Sequence, residues 1–212
     1  MKIICVAKNY PQHVAEMQLA EPTLHRSVSL EQPWWFLKPD SALLQNHRPF
    51  FLPDFSNDVQ HEVELVVRID RVGKSIEERF AHRYYHEVTV GIDFTARDLQ
   101  RQAKSQGMPW TLSKGFDGSA VLGDFVDLDT IGGNIHQLNF ALAKNGVEVQ
   151  HGNTSQMLHD VDRLISHISD FMTLKTGDLL FTGTPHGVGA VAIGDVLEAS
   201  LQGRTLLTCR VK

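Results

Sequence analysis

The sequence predicts a mostly β, α+β domain, and three observations carry that prediction. Short strand candidates separated by Gly and Asn/Asp turns fill the second half of the chain. Helical periodicity is confined to a few short segments, and the regular strand–helix alternation of a doubly wound sheet is missing. The 212 residues, 42% apolar and 21% charged, suit a single domain over residues 1–212 with a proper core. A formal charge of −5 without any cluster of Lys and Arg argues against a nucleic-acid partner. No apolar run has the length of a membrane span, and Lys8, Asn9 and Pro11 come too early for a signal peptide. A cytoplasmic protein with no membrane partner is expected. Cys5 and Cys209 match no zinc or redox spacing, so free thiols are expected, with a bridge between terminal strands left open.

Taken in order, Lys2 to Ala7 predicts a first strand. Residues 11–31 are polar and broken by Pro22, which predicts a short helix over His13 to Leu19, then irregular chain. That is the profile of a mobile lid. PWWFLKP predicts a strand closed by Pro39, and the Pro-rich HRPFFLPDFS a loop with room for one short strand. In HEVELVVRI, residues 61–69, Val63, Leu65, Val67 and Ile69 face one way while Glu62 and Glu64 face the other. Ile76, Phe80, Tyr84 and Val88 recur every four residues after Ser75, which predicts a helix. VTVGIDF predicts a strand and TARDLQRQAKSQG a helix ended by Gly107. VLGDFVDL, NFALAKNGVEVQ with its Asn145-Gly146 turn, and LEASLQGRTLLTCRV predict further strands; MLHDVDRLISHIS predicts one more amphipathic helix.

Several stretches hold residue types that carry chemistry, and each also has a plain structural explanation. Glu62 and Glu64 are accounted for by a strand with a wet outer face, although two like charges side by side repel unless a cation lies between them. Asp93, at the end of a strand and before a helix, suits helix capping as well as a ligand. Together the three acids would form a hard, oxygen-rich site for Mg²⁺, Mn²⁺ or Ca²⁺ rather than zinc. His13 and Glu16, three apart on a helix, can form a dyad in which the carboxylate orients an imidazole base. Among 11 histidines, such a spacing also arises by chance. Lys114 in TLSKGFDG offers a compact positive charge or is an ordinary solvated lysine. FTGTPHGVGA lets backbone N–H groups approach an anion, with Thr184 adding a hydroxyl, but lacks the ending of a nucleotide-binding loop.

The joint order of these segments is more specific than any one of them. NYPQHVAE, WFLKP, HEVELVV, GIDFTARDLQ, TLSKGFDG, KNGVEVQHGNTSQML and LLFTGTPHGVG together resemble the fumarylacetoacetate hydrolase family, in particular its short single-domain members. The resemblance covers nearly the whole chain. It implies a rolled mixed β-sheet with few short helices, a homodimer, and a Mg²⁺ or Mn²⁺ held by Glu62, Glu64 and Asp93. It also implies that His13 and Glu16 form a catalytic dyad on the lid, that Lys114 is catalytic, and that Arg97, Gln100, Gly183 and Thr184 bind substrate. The activity it implies is on a small 2-oxo acid through a metal-stabilised enolate. Hydrolysis of an acylpyruvate or decarboxylation of oxaloacetate comes first; isomerisation of a 2-hydroxy-dienedioate such as 2-hydroxyhepta-2,4-diene-1,7-dioate, or silent binding of a 2-oxo acid, comes second. Three positions depart from the family pattern. Ile92 stands where Asn is common, His61 where Tyr is usual, and Thr95 where Ser is usual.

Overall fold

The computed structural model describes residues 1–22 and 29–212. The expected lid over 11–31 therefore falls in part on residues outside those described. The first half of the chain holds β1 (Ile3–Ala7), β2 (Trp34–Lys38), β3 (Leu43–Leu44), β4 (Val59–His61), β5 (Val63–Arg68), β6 (Glu87–Asp93), β7 (Thr95–Ala96) and β8 (Ala120–Leu122). The second half adds β9 (Val126–Asp127), β10 (Asn139–Lys144), β11 (Val147–Asn153), β12 (Leu179–Phe181), β13 (Gly189–Ala190), β14 (Val196–Leu201) and β15 (Arg204–Arg210). Four α-helices accompany them: α1 (Pro11–Ala20), α2 (Arg97–Gln106), α3 (Thr111–Lys114) and α4 (Val161–Phe171).

The main sheet runs β2-β1-β12-β5-β6-β8-β3, with β9 also on β6. It is mixed, since β1–β12 and β3–β8 are parallel and the other pairs antiparallel. A four-stranded antiparallel sheet, β11-β10-β14-β15, packs against it, and a small sheet, β13-β4-β7, closes one end. The result is a curled, mostly β structure of the predicted class.

β5 lies at the middle of the main sheet and decides the fate of the two glutamates. Val63, Leu65 and Val67 enter the large core with Val90, Ile92 and Leu180. The opposite face is not wet: Val66 packs there with Ile3, Cys5, Leu179 and Phe181. Each fully buried Val or Leu stabilises the fold by about 1.5–3 kcal/mol relative to exposure. Glu64 shares the face of Val66 and is as buried as its apolar neighbours, so the outer-face explanation fails.

One predicted helix takes another form. Ser75 adopts a left-handed φ of 49°, and the N–H groups of Ser75 and Ile76 bond to Ser169 at the end of α4. The helix therefore starts late, as a 3₁₀ segment over Glu78–Tyr84, and Val88 belongs to β6. The HRPFFLPDFS loop makes only an isolated bridge, Phe50 to Val211, in place of a short strand. Lys114 ends α3 rather than sitting in an open turn. Gly107 ends α2 as predicted, with a left-handed φ of 67°. Both cysteines are free and buried, Cys5 and Cys209 belonging to different hydrophobic clusters.

Candidate metal centre and active site

Strand register builds the acidic cluster. Val63 pairs with Ile92 and Glu64 with Gly91, so Asp93 falls opposite Glu62, and its N–H donates to the Glu62 carbonyl at 2.8 Å. Glu62 stands at the joint between β4 and β5, where the chain passes from the small sheet to the main one. Gly91 is required beneath this face, because a Cβ there would lie 2.7 Å from the Phe181 ring and 2.8 Å from the Val121 carbonyl. Among the described residues, Glu62, Glu64 and Asp93 form the group whose ligand oxygens all lie within 4.8 Å of one another. All three are buried.

Buried carboxylates this close need partners, and the neighbours are unequal. Glu62 has two cations, Lys114 Nζ at 2.7 Å and Arg97 Nη2 at 2.5 Å. Burial works against its ionisation, but Lys114 and then Arg97 outweigh that and hold Glu62 well below the usual carboxylate range. Asp93 has Lys114 at 2.7 Å and Lys38 at 2.6 Å. Lys38 hydrogen-bonds the Phe94 carbonyl and both oxygens of Ser119, and Asp93 Oδ1 accepts no aligned hydrogen bond. Burial tends to lower the Lys114 pKa, yet Asp93 and Glu62 raise it above its ordinary value. Among the described residues Glu64 has no cation within salt-bridge distance, and its one donor is the Gly183 N–H at 2.7 Å. Burial first, then Asp93 and Glu62, push its pKa well up.

This set fits a hard divalent cation. Three buried oxygens converge, one carboxylate lacks a countercharge, and Asp93 Oδ1 keeps a free lone pair. Glu62, Glu64 and Asp93 would hold such an ion. No Cys or His belongs to the cluster, which disfavours zinc.

The other predicted residues gather around the trio. A cavity of about 50 Å³ is lined by His13, Glu62, Glu64, Asp93, Arg97, Gln100, Lys114 and Thr184. His13 comes from α1, and its Nδ1 lies 3.1 Å from Glu16 Oε2. Glu16 Oε1 accepts from the Gly187 N–H at 2.9 Å. Partial burial would raise the Glu16 pKa, but the bonds from His13 and Gly187, with the nearby imidazoles, bring it below the ordinary value. Arg97 also lines the cavity and gives one N–H each to Gln60, Gln100 and Glu62, which fixes Glu62 in place and leaves two of its five N–H donors. Gln100 accepts from Arg97 through its oxygen, which leaves its NH₂ free to donate into the cavity. Thr184 Oγ1 accepts from Gln150 Nε2 at 2.9 Å, leaving its O–H proton for another acceptor.

The glycine-rich loop behaves differently from its sequence reading. Its N–H groups do bind anions, but the anions are the protein's own: Gly183 serves Glu64 and Gly187 serves Glu16. Gly183 has φ 100°, and a Cβ there would lie 2.8 Å from Asn9 Cβ. Gly183 thus positions a ligand carboxylate rather than approaching a substrate.

Two residues of the site escaped sequence reasoning. Lys38 ends β2 in WFLKP, where a buried lysine after four apolar residues is the only signal. Gln150 joins the elements: its oxygen accepts from the Val63 N–H at 3.0 Å and contacts His61 Nδ1 at 2.9 Å, while its nitrogen donates to Thr184 and Pro185.

The chain matches the family model for the fumarylacetoacetate hydrolase C-terminal domain over residues 2–212, essentially end to end. It belongs to the fumarylacetoacetate hydrolase family. A mitochondrial oxaloacetate tautomerase of Rattus norvegicus is 39% identical over 210 residues, covering 99% of this chain and 91% of the relative. A mitochondrial oxaloacetate decarboxylase of Dictyostelium discoideum is 39% identical over 203 residues, covering 95% and 89%. The crystal structure of fumarylpyruvate hydrolase from Pseudomonas aeruginosa, in complex with Mn²⁺ and pyruvate, superposes with a TM-score of 0.89 at 31% identity, covering 100% of this chain and 89% of that one. Among the described residues, no helix of this family member is long and apolar enough to cross a membrane.

Proposed function

We propose that this family member is a divalent-metal-dependent enzyme acting on a short 2-oxo acid through its enolate, with enol–keto interconversion of oxaloacetate as its reaction. The observation that carries the reading is the buried trio Glu62, Glu64 and Asp93 facing the His13–Glu16 dyad across one small cavity. A bound Mg²⁺ or Mn²⁺ supplies a Lewis acid for the 2-oxo oxygen. The chain's own residues do the rest. His13 Nδ1 is engaged by Glu16, which leaves Nε2 to carry the proton between the 2-oxygen and C3, taking it from the enol O–H and delivering it to C3 in the enol-to-keto direction. Glu16, held as a carboxylate, stabilises the imidazolium that forms. Lys114 adds positive charge beside Glu62 and Asp93, where negative charge collects on the substrate oxygen. Thr184 O–H and the Gln100 NH₂ donate to a substrate carboxylate.

Oxaloacetate is placed ahead of larger acylpyruvates for two reasons. The relatives aligned over about nine-tenths of their length carry oxaloacetate in their names. The cavity of about 50 Å³ is small, which favours a short substrate over a larger acylpyruvate. Decarboxylation is the second reading, because breaking the C3–C4 bond releases CO₂ and leaves the enolate of pyruvate without a base, a proton then being needed only at C3. The test follows enol decay and pyruvate release together, with Mg²⁺, Mn²⁺ or EDTA, in wild type and His13→Ala. Metal-dependent enol decay that His13→Ala abolishes, with little pyruvate, supports tautomerisation. Pyruvate release that survives His13→Ala selects decarboxylation, and a folded protein that does neither refutes both.

A further inference from the structure

The cations that line the cavity are accounted for one by one, and a single one is left over. Lys114 pairs with Glu62 and Asp93, Arg97 with Glu62, and Lys104 with Glu21 at 3.0 Å. Lys8 also lines the cavity, is half-buried, and has no acidic partner among the described residues. It is one of the few non-glycine residues with left-handed backbone, at φ 61°. Such a conformation in a lysine is strained and persists only where the surroundings impose it, so its place at the mouth is imposed by the fold. Burial first, and Lys104 second, lower its pKa, which places two ammonium groups in each other's field.

A second, larger groove opens from the same mouth. Its volume is about 640 Å³, and it shares Ala7, Lys8, Phe36 and Trp110 with the carboxylate cavity. Trp34 and Met108 extend it outward, and both are more than half exposed. Lys8 therefore stands where the acid-lined space gives way to an apolar channel with no other charged side chain among the described residues that line it. A ligand anchored by its 2-oxo-acid end among Glu62, Glu64 and Asp93 must turn its other end toward this junction.

We propose that Lys8, with Lys104 beside it, binds a second carboxylate at the far end of the substrate, so that the site selects 2-oxo diacids over 2-oxo monoacids. The inference rests on the reading that this cavity takes a 2-oxo acid, and it goes on to name the residue that holds the far carboxylate. An unpaired, half-buried ammonium next to another is unfavourable in the free protein, and an arriving carboxylate relieves that cost. Discrimination then comes from desolvation: a monoacid leaves Lys8 unpaired beneath its apolar end, whereas a diacid does not. Lys8 is a specificity residue, not a member of the proton-transfer machinery.

The experiment measures kcat and KM for oxaloacetate and the dissociation constant of pyruvate, with Mg²⁺ present, for wild type, Lys8→Gln and Lys8→Arg. Lys8→Gln is expected to raise KM for oxaloacetate about 10-fold with kcat changed less than about 2-fold, as loss of one partly exposed charge-assisted hydrogen bond predicts. Pyruvate affinity is expected to stay within about 2-fold, and Lys8→Arg to restore most of the KM. Melting temperatures of the three proteins check that the variants fold. Equal weakening of pyruvate and oxaloacetate, or no change in either, overturns the role given to Lys8. A wild type that binds neither compound with metal present overturns the 2-oxo-acid reading itself, and this inference falls with it.

Discussion

Glu64→Gln should stabilise the protein in the absence of metal while removing its response to metal. Glu64 is the member of the trio with no cation of its own and a single hydrogen-bond donor, the Gly183 N–H. Two like charges at the 4.8 Å limit of the cluster repel by about 3 kcal/mol at an effective dielectric of about 20. Glu64 has two such neighbours, and burial together with these two charges pushes its pKa well up. The amide of Gln keeps an acceptor for Gly183 and gains donors for Asp93 and Glu62. The net gain is therefore about 1–3 kcal/mol, which for a chain of this length raises Tm by roughly 2–12 °C. The sign with pH follows from the raised pKa. A folded pKa above the unfolded value contributes stability below the ordinary carboxylate range and loses it as pH rises through the folded value. The gap between variant and wild type should thus be small near pH 4 and widen toward neutrality. With metal the order reverses. Saturation at about 100 times Kd should stabilise wild type by about 2.7 kcal/mol and leave the variant unmoved. Thermal melts in EDTA and in a Mg²⁺ or Mn²⁺ series measure both effects. A variant that melts lower than wild type in EDTA, as an ordinary core substitution does, would refute the charge argument. One that keeps the metal response would remove Glu64 from the ligand set.

Three other substitutions or treatments probe parts of the same machinery. Gly183→Ala must place a Cβ 2.8 Å from Asn9 at φ 100°, so urea unfolding should show a loss of about 2–4 kcal/mol together with weaker metal binding. Lys38→Met deletes a buried ammonium from Asp93 and from Ser119; a loss of about 3–5 kcal/mol is expected, and a neutral result would show that Lys38 is dispensable. Burial lifts the Cys209 thiol to about 11 and also pushes that of Cys5 well above its ordinary value, so neither should react with a thiol reagent at pH 8 until the chain unfolds. Rapid labelling of the native protein would contradict the burial of both strands.

How much could be read from sequence depended on whether a residue's role was local. The Asn145-Gly146 hairpin, the Gly107 stop and the alternation in β5 follow from turn chemistry and pleat alone, and they appear where expected. The pairing of Glu62, Glu64 and Asp93 needed the strand register, which no local pattern supplies; the order of motifs along the chain stood in for it. Lys38 and Gln150 escape a local reading because their partners lie 34 or more residues away in sequence, at Asp93, Val63 and Thr184. The Ser75 helix was overextended because periodicity in Ile76, Phe80, Tyr84 and Val88 carries no trace of the bonds that Ser169 makes to the segment's first N–H groups. The glycine-rich loop was recognised as a cradle for anions, but sequence could not show that the anions are glutamates of the same chain.

That loop binds two carboxylates with different freedoms. Glu64 belongs to the central strand of the main sheet, whereas Glu16 belongs to helix α1 at the side of the cavity. The Gly187 N–H is satisfied by Glu16 only while α1 is seated, and only then is His13 aligned by its partner. Under the proposed function, readiness for proton transfer is then conditional on the seating of α1, and one loop sets both the metal-site carboxylate Glu64 and the carboxylate that orients the base.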